Sequence, residues 1–421
     1  MPEWRNWSGS VVAQPTAIES PKTFAELQRL VAAAAKVRVA GTGHSFMPLC
    51  ASEGLLLSLF ELEGQLEIAD DRQSAWVPAG WPIGKVTEAL WAAGFSLINQ
   101  GDIDKQAIAG AVSTATHGTG RTLGSLATAA EGFRLVLADG TLVECDRANE
   151  PELFEAARLS LGMLGVVVGI RMKVLPAYRL KETIRRQSLQ QTLAEWDQLA
   201  DAYRHVEFFH FPYSEHVTLK TLDVVDEGDS PPPGAFEDIV FQRVCDLVAA
   251  WPRTAPTLQR MLTRAIGASE RAGPAGRIFP SERNVKFEEM EYEIPAENGA
   301  AALKAAMDLV REKRWPIIFP FEFRAVAADD IWISPMQGRA CVSISFHQYA
   351  KMEWREPFAG VERVFQAAGG RPHWAKRHTL ASADVLRLYP DAPRWGAVRK
   401  RVDPAGKFLN AHLAELFAFS L

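Results

Sequence analysis

The segment at residues 37–46 constrains the fold more than any other part of the chain. Its sequence, VRVAGTGHSF, starts with alternating β-branched residues that are typical of a short buried strand. The strand runs directly into Gly41-Thr42-Gly43, and His44 follows at once. Glycines spaced in this way let the backbone approach a ligand closely, and successive N–H groups can bind an anion. The segment therefore predicts either a binding turn with a histidine beside the ligand or a tight turn with an ordinary surface histidine.

Composition narrows the class of protein. A chain of 421 residues is too long for one ordinary core, so we expect two or three domains. The net charge of −5 and the lack of a Lys/Arg block argue against nucleic acid as a partner. Four scattered cysteines predict free thiols and no metal site. We expect a cytoplasmic protein without a membrane span, because we find no apolar signal segment and no apolar run of bilayer length.

The secondary-structure pattern changes near residue 176. Before it, strands and helices interleave, with helices predicted over 15–35 and 83–93 and a hairpin turn at Asp139-Gly140. No GxGxxG motif is present, so a Rossmann fold is not predicted. After it, the pattern predicts strands over 206–211, 316–327, 331–335 and 340–349 and helices over 241–265 and 300–313. The prediction is an α+β fold whose second domain is an antiparallel sheet covered by helices.

A second unusual segment covers residues 97–120, LINQGDIDKQAIAGAVSTATHGTG. It is rich in Gly, Ala, Ser and Thr and has few large side chains. Small residues over such a length indicate that the backbone packs closely against something. That partner is either a neighbouring element, as in a close helix–sheet contact, or a flat ligand that lies along the backbone.

Polar residues on the later strands are candidates for chemistry. Glu322 and Arg324 lie two apart on a predicted strand and so share a face, while Phe321 and Phe323 face the other way. The charged pair is either a surface ion pair or the floor of a site. Asp329-Asp330 is interpreted as a turn that hydrogen-bonds its own backbone, since no third ligand lies at metal spacing.

Two further clusters follow along the chain. Ser343, Ser345 and His347 alternate and so share one face of a strand. Residues 373–378, HWAKRH, place four titratable side chains around a tryptophan, and such clusters often line a site. The motifs GxSxG, Walker A and HExxH are missing, so hydrolase, nucleotide-triphosphatase and zincin chemistry is not predicted.

Together these motifs resemble the vanillyl-alcohol-oxidase family of FAD-linked flavoproteins. The first part carries Gly-Thr-Gly-His44-Ser45, then Gly110-Ala111-x-x-x-Ala115-Thr116-His117-Gly118, then Gly162-x-x-Gly165-Val166-Val167. The second part is similar to the aldonolactone/alditol oxidase branch, with Glu322-x-Arg324, ADDIWISP at 328–335, Pro372-His373-Trp374-x-Lys376 and DPAGKFLN at 403–410. The motifs run in family order over nearly the whole chain.

The resemblance implies a domain organisation. Residues 1–175 would form a two-part FAD-binding domain of the PCMH type. Residues 176–400 would form a substrate (cap) domain that roofs the flavin ring, and residues 401–421 would return to the FAD domain.

The resemblance also implies which residues contact the cofactor. His44 would carry FAD covalently through a ring nitrogen. The residues expected to contact FAD are Gly41, Thr42, Gly43, His44, Ser45, Phe46, Gly101, Gly110, Ala111, Ser113, Thr114, Thr116, His117, Gly118, Gly165, Val167, Asn410 and His412.

The implied reaction is oxidation of a sugar-1,4-lactone of the L-gulono-, L-galactono- or D-arabinono- type. Hydride would pass from a carbinol carbon to flavin N5, and O2 would reoxidise the flavin to give H2O2. Glu322 would orient or deprotonate substrate hydroxyls, Arg324 and Lys376 would stabilise negative charge, and His347 would be a further contact.

Several alternatives stay open. The substrate could be an alditol such as xylitol or sorbitol, and the electron acceptor could differ from O2. FAD could be held noncovalently, or the protein could be a flavin carrier without catalysis. Alanine instead of the serine of alditol oxidases in the loop before Gly110, and the segment HVEFFHFPY at 205–213, favour a lactone.

Overall fold

The computed structural model describes residues 2–231, 236–281 and 284–421. The first part of the chain contains four helices: α1 (Phe24–Ala33), α2 (Ile83–Ala92), α3 (Ile108–Ser113) and α4 (Pro151–Ala157). Its strands are β1 (Trp4–Arg5), β2 (Val12–Ala13), β3 (Ala17–Glu19), β4 (Val37–Val39), β5 (Leu55–Leu57), β6 (Glu67–Ile68), β7 (Ser74–Pro78), β8 (Phe95–Leu97), β9 (Ala130–Val136), β10 (Leu142–Asp146) and β11 (Val166–Pro176).

These strands form two sheets that carry the glycine turns, besides the short β1–β2 pair. Strands β3, β5 and β4 pair in parallel in that order, so the turn after β4 begins at the edge of a small sheet. The larger sheet has the order β10-β9-β11-β7-β6, with β8 paired to the far end of β11, and its pairs are antiparallel. Helices α2, α3 and α4 cover one side of this sheet with residues such as Val86, Val112 and Phe154.

The second part is built on one eight-stranded sheet. Its strands are β12 (Arg179–Ser188), β13 (His205–His210), β14 (His216–Val225), β15 (Ser269–Pro274), β16 (Phe287–Pro295), β17 (Phe321–Val326), β18 (Cys341–Tyr349) and β19 (Arg371–Pro372). They pair antiparallel in the order β15-β12-β14-β13-β17-β18-β16-β19. The remaining helices are α5 (Leu189–Ala194), α6 (Trp196–Ala202), α7 (Phe236–Ala250), α8 (Ala255–Ala265), α9 (Ala275–Ile278), α10 (Gly299–Lys313), α11 (Arg355–Ala367), α12 (Ser382–Leu388), α13 (Ala392–Val402) and α14 (Ala411–Leu416).

The two faces of the eight-stranded sheet differ in chemistry. One face is apolar, and residues such as Phe208 and Phe323 pack there against helices α6, α10 and α11. The other face carries charged and polar side chains, yet it is also buried, because the first part of the chain lies against it. His205 shows the contact, since its Nδ1 lies 2.7 Å from the carbonyl oxygen of Thr119. We call this second surface the polar face.

Several sequence predictions are confirmed and others are wrong. The helices at 83–93 and 300–313 and the hairpin turn at Asp139-Gly140 are present. The helix expected over 15–35 is shorter, because β3 precedes it and α1 starts only after Thr23, whose Oγ1 accepts from the N–H of Glu26. The helix over 241–265 is interrupted by a 3₁₀ turn at Pro252–Thr254.

Two predicted strands of the second part are also corrected. The strand expected over 316–327 begins only at Phe321, since prolines at 316 and 320 cannot donate to a strand ladder. Residues 331–335 form a turn instead of a strand. Just before this turn, the Asp329 carboxylate accepts from the Ile331 N–H and from Ser334 Oγ, which agrees with the interpretation of Asp329-Asp330 as a turn.

The domain limits at residues 175 and 400 stay predictions. Strand β11 of the first sheet ends at Pro176, and β12 of the second begins at Arg179. Helices α12 and α13, however, contribute Val385 and Trp395 to the hydrophobic cluster of the first part. In the part of the chain that the structure describes, no helix combines the length and apolar character needed to cross a bilayer.

Candidate functional site

A groove with a cavity volume of about 130 Å³ crosses the first part of the molecule. Its walls come from the turn after β4, the residues after β7, the segment leading into α3 and the residues before β11. Gly43 has a φ of +74°, and a Cβ there would lie 3.2 Å from the Cα of Asn6. At Gly110, by contrast, an added Cβ would meet no protein atom within 4 Å and would enter the groove. The lack of a side chain at Gly110 therefore leaves room for a ligand to lie against the backbone of this wall.

His44 lies at one end of this groove. Its Nδ1 is 2.7 Å from Thr42 Oγ1, and its ring stacks on Trp7 with the ring centres 5.5 Å apart. Burial and the nearby charge of Lys376 lower the pKa of His44 to about 4. The imidazole is therefore neutral at physiological pH, which leaves a ring nitrogen available as a nucleophile.

The structure brings most of the expected cofactor residues together in this groove. Those that line it are Gly41, Thr42, Gly43, His44, Ser45, Gly110, Ala111, Ser113, Thr114, Gly165 and Val167. Residues outside the expected set of cofactor contacts also line it, including Arg38, Gly80, Ala107, Ala109 and Gly162. Arg38 is buried and donates to the carbonyl oxygens of Leu49, Leu161, Gly162 and Phe408, so it ties together segments that form the wall. A lone arginine on a predicted strand gave no signal of this role.

Other expected cofactor residues lie outside the groove walls. Phe46 packs on Phe287, with ring centres 5.7 Å apart. Gly101, Thr116 and Gly118 are buried in packed backbone, and a Cβ at Gly118 would lie 2.2 Å from the carbonyl oxygen of Gln100. Asn410 caps α14, and His412 lies half-buried in the same helix.

His117 is also outside the groove, and its side chain reaches the polar face. Its Nε2 lies 2.8 Å from Glu291 Oε1 and 3.2 Å from Glu293 Oε1, and its Nδ1 lies 2.8 Å from the Gly118 carbonyl oxygen. Burial acts to lower the pKa of His117, but the two carboxylates outweigh it and raise the pKa to about 10. The imidazole is therefore a buried cation that joins the two parts of the molecule.

The predicted catalytic residues lie together on the polar face or beside it. Glu322 and Arg324 are only 4% and 7% exposed, so the surface ion-pair interpretation is wrong. Arg324 Nη1 lies 3.5 Å from Glu322 Oε1, and its Nη2 lies 3.0 Å from Glu291 Oε1. Lys376 approaches from the loop after β19 and forms an ion pair with Glu289. His347 Nε2 lies 3.3 Å from the same carboxylate.

Strand β16 supplies acidic residues that the sequence analysis did not single out. Glu289, Glu291 and Glu293 alternate with Met290, Tyr292 and Ile294, which lie on the apolar face. Glu291 accepts hydrogen bonds from Ser343 Oγ and Ser345 Oγ, both at 2.9 Å. Burial favours its neutral form, but Arg324 and His117 hold the pKa of Glu291 well below its ordinary value. The strict alternation in residues 289–294, EMEYEI, was the available signal.

The groove and the polar face meet near Lys376. Ala375, which precedes this lysine, lines the groove. Its N–H donates to Nδ1 of His373, and the N–H of His373 donates to the Glu291 carbonyl oxygen. The N–H of Phe46, directly after the glycine turn, donates to the Ala375 carbonyl oxygen at 2.7 Å. The arrangement places a groove for a flat ligand next to a buried set of opposite charges that can orient hydroxyl groups and stabilise a developing charge.

Comparison with known proteins agrees with this arrangement. A family model described as D-arabinono-1,4-lactone oxidase matches residues 170–416, and one described as FAD binding domain matches residues 15–146. A cholesterol oxidase from B. sterolicum has a TM-score of 0.80 at 16% identity and covers 99% of this chain and 96% of its own. A solvent-stable cholesterol oxidase has a TM-score of 0.84 at 15% identity, covering 100% and 97%. These likenesses confirm the predicted α+β fold with a PCMH-type FAD-binding domain.

Relatives in sequence extend over nearly the whole chain. An L-gulono-1,4-lactone dehydrogenase from Mycobacterium tuberculosis (strain ATCC 25618 / H37Rv) is 38% identical and covers 97% of each chain. An L-gulonolactone oxidase from Bos taurus is 28% identical, covering 99% of this chain and 98% of its own. An alditol oxidase from Streptomyces sp. is also 28% identical, covering 98% of both.

The fold, the groove and these matches define the class of protein: an oxidoreductase that uses FAD as its cofactor and acts on CH–OH groups. Within that class, the chain belongs to the D-arabinono-1,4-lactone oxidase family.

Proposed function

We propose that this protein oxidises a carbinol group of a sugar-1,4-lactone of the L-gulono-, L-galactono- or D-arabinono- type. The observation that carries the proposal is the buried Glu322–Arg324 pair on the polar face. Glu291 links Arg324 to Lys376, and Ala375, which precedes this lysine, lines the groove. The names of the relatives from M. tuberculosis and Bos taurus support a lactone. The name of the Streptomyces relative, which is 28% identical, makes an alditol the second candidate.

FAD, when bound in the groove, supplies the acceptor for the hydride that leaves the carbinol carbon. Glu322 orients the substrate hydroxyl and takes its proton. Arg324 and Lys376 stabilise the negative charge that develops on the substrate oxygen, because fixed cations act strongly in a site shielded from water. His347, which faces Glu289 with Lys376, is a further substrate contact.

We also propose that FAD is bound covalently through His44. The neutral imidazole and its place in the groove wall support this bond. Acid precipitation of the purified protein should give a yellow pellet, and the His44→Ala variant should give a colourless one. A colourless pellet from the wild type would contradict the covalent bond and would leave FAD held noncovalently.

We further propose a cytoplasmic location with no nucleic-acid partner. All four cysteines are free, which suits a reducing compartment, and the net charge is −5.

One experiment tests substrate and electron acceptor together. The protein is mixed anaerobically with L-gulono-1,4-lactone, D-arabinono-1,4-lactone or xylitol while the visible absorbance of the cofactor is followed, and air is then admitted. Bleaching by a lactone is the expected result. Bleaching by xylitol alone would favour the alditol, and no bleaching by any of the three would contradict the proposal and favour a flavin carrier.

The second stage of this experiment identifies the acceptor. We propose O2, with release of H2O2, as the acceptor. Rapid return of colour in air, with stoichiometric peroxide, is the expected result. Slow return would favour an acceptor other than O2, as the name of the M. tuberculosis relative indicates for that protein.

A further inference from the structure

A second group of buried acidic side chains lies on the polar face beside Glu322. Glu207 on β13 and Asp102, from the segment that leads into α3, are both buried. One carboxylate oxygen each of Asp102, Glu207 and Glu322 lies within 4.8 Å of the other two. We call these three residues the carboxylate triad. The reaction proposed above uses only Glu322, so it leaves the other two carboxylates without a role.

One lysine serves two members of the triad. Lys220 on β14 is buried, and its Nζ lies 2.9 Å from Glu207 Oε1 and 3.8 Å from Asp102 Oδ1. The same ammonium lies 3.5 Å from Glu182 Oε2 on β12, whose carboxylate also binds Arg271. In the part of the chain that the structure describes, Glu207 Oε2 is buried and has no hydrogen-bond partner. The charge of Lys220 is therefore divided, and Glu207 keeps an oxygen that can take up a proton.

A second cation, Arg324, reaches the third member of the triad. It lies 3.5 Å from Glu322 Oε1, but it also lies 3.0 Å from Glu291 Oε1. Carboxylates this close together, with cations that they share with others, favour either a bound proton or a bound metal ion. The ammonium of Lys220 already lies beside two of the three carboxylates and would repel a divalent cation. The charges therefore favour a proton.

We propose, on the basis of the proposed function, that the carboxylate triad receives the proton that leaves the substrate hydroxyl. The O–H bond breaks, Glu322 takes the proton, and the proton passes on to Glu207. The carbinol carbon gives its hydrogen with the bonding electron pair to the cofactor and becomes a carbonyl carbon. At the separation within the triad, one water hydrogen-bonded to both carboxylates can carry the proton. Glu322 is then a carboxylate again.

The groups that face Glu207 set the pH at which it takes up a proton. They are Asp102 from the first part of the chain, Lys220 on β14, and Glu322 and Arg324 on β17. Burial and the two carboxylates raise the pKa of Glu207 to about 7, although the two cations oppose them. Glu207 can therefore accept a proton above about pH 7 and is already protonated below it. The rate of cofactor reduction should rise as the pH passes this value.

The pH dependence of the holoprotein tests the proposal. Anaerobic cofactor reduction by saturating L-gulono-1,4-lactone is followed from about pH 6 to about pH 8, on either side of the pKa of Glu207. The wild-type rate should rise with one ionisation. Glu207→Gln should reduce more slowly, and its rate should lose this ionisation. Glu182→Gln is the matched control, because it removes a carboxylate from the same Lys220 outside the triad, and it should keep the wild-type profile.

A second variant keeps the test decisive if Glu207→Gln does not fold. Asp102→Asn removes a negative charge that raises the pKa of Glu207, so the ionisation should move to lower pH. A purely structural role of Asp102 would not move it. An unshifted ionisation in Asp102→Asn, or a wild-type profile in Glu207→Gln, would overturn the proposal.

Infrared difference spectra of the holoprotein give a measurement that needs no substrate. The carbonyl stretch of a protonated carboxyl group should disappear as the pH rises through about 7 in the wild type and in Glu182→Gln, and it should be missing in Glu207→Gln. An unchanged band in Glu207→Gln would overturn the proposal. So would one equivalent of a divalent metal in the wild type that Glu207→Gln loses. A band that titrates as expected, in a protein whose cofactor no lactone reduces, would support the proton site and contradict the lactone substrate instead.

Discussion

At the scale of single residues, the site depends on charges that neutralise one another away from water. An isolated buried carboxylate is costly, but each glutamate of β16 that faces the first part has a nearby cation. His117 is the cation that comes from the first part of the chain. Its role is therefore in the contact between the two parts, and the sequence could not indicate this because Glu291 lies 174 residues further on.

His117→Gln should destabilise the protein strongly. The amide keeps a hydrogen bond but carries no charge, so Glu291 and Glu293 lose the buried cation between them. Removing one partner of a buried ion pair typically costs about 3–5 kcal/mol. Urea unfolding at pH 7 measures the loss. His205→Gln is the control, because His205 is buried, donates from Nδ1 to the Thr119 carbonyl oxygen and has a pKa lowered to about 3 by burial.

The same imidazole predicts a pH dependence. Because the pKa of His117 is about 10 in the folded state and about 6.5 in the unfolded chain, its contribution is full below pH 6.5. It is lost as the pH rises toward 10. The difference in unfolding free energy between wild type and His117→Gln should therefore shrink from pH 7 to pH 10. A constant difference over this range would show that His117 is not the buried cation.

Lys376→Met should slow cofactor reduction by the lactone about 100-fold or more, the typical effect of removing one stabilising group. Lys376→Arg should recover most of the rate, because it keeps the positive charge beside Glu289. Anaerobic stopped-flow absorbance measures both variants. Equal rates in Lys376→Met and the wild type would exclude an electrostatic role for this lysine.

At the scale of elements, strand alternation decides which residues meet. The spacing of Glu322 and Arg324 correctly predicted a shared face, and the same rule placed Ser343, Ser345 and His347 together. What the sequence did not predict was the neighbour of β18 on its other side. Strand β16 pairs there in a register that sets Glu291 opposite Ser345. These two residues lie more than 50 positions apart along the chain, so their pairing follows from packing and not from a local sequence pattern.

This alternation predicts different effects for neighbouring residues of β17. Phe323 is fully buried on the apolar face and stacks on Phe208 with ring centres 4.7 Å apart. Phe323→Leu should lower the thermal midpoint and leave the reduction rate of the folded enzyme near wild type. Glu322→Gln should lower the reduction rate of the folded enzyme at least 100-fold, and it should also lower the midpoint, because Arg324 loses a buried partner. Anaerobic reduction of the folded proteins separates the two variants, and a slow Phe323→Leu beside a fast Glu322→Gln would contradict the assignment of faces.

At the scale of the whole molecule, the end of the chain supports the groove near its beginning. The glycine motifs predicted the groove, because the residues within each motif lie close together along the chain and shape the backbone locally. The packing of α12 and α13 on the first part was not predicted, since an apolar stripe identifies a buried helix face but not the surface that covers it. The motif at 403–410 carried a recognisable pattern, and its contacts explain what it does.

Asn410 links the last helix to the groove wall. Its Oδ1 accepts from the N–H of Leu413 at 2.9 Å, and its Nδ2 donates to the carbonyl oxygens of Pro48 and Ala51, both at 2.8 Å. Between these two carbonyls, Leu49 and Cys50 line the groove. Losing the two donated bonds should cost about 1–3 kcal/mol and should loosen this loop.

Two substitutions separate the helix cap from the loop contact. Asn410→Asp keeps the cap oxygen but turns a carboxylate toward two carbonyl oxygens, so it should destabilise the protein as much as Asn410→Ala. Cys50 is half-buried while the other cysteines are buried, so its reaction with a thiol reagent should be faster in both variants. Ser188→Ala, which removes only the cap of α5, should lower the thermal midpoint without changing that reaction. Wild-type behaviour of Asn410→Asp would assign Asn410 to capping alone, and the C-terminal segment would then support the groove only through contacts such as that of Arg38 with the Phe408 carbonyl oxygen.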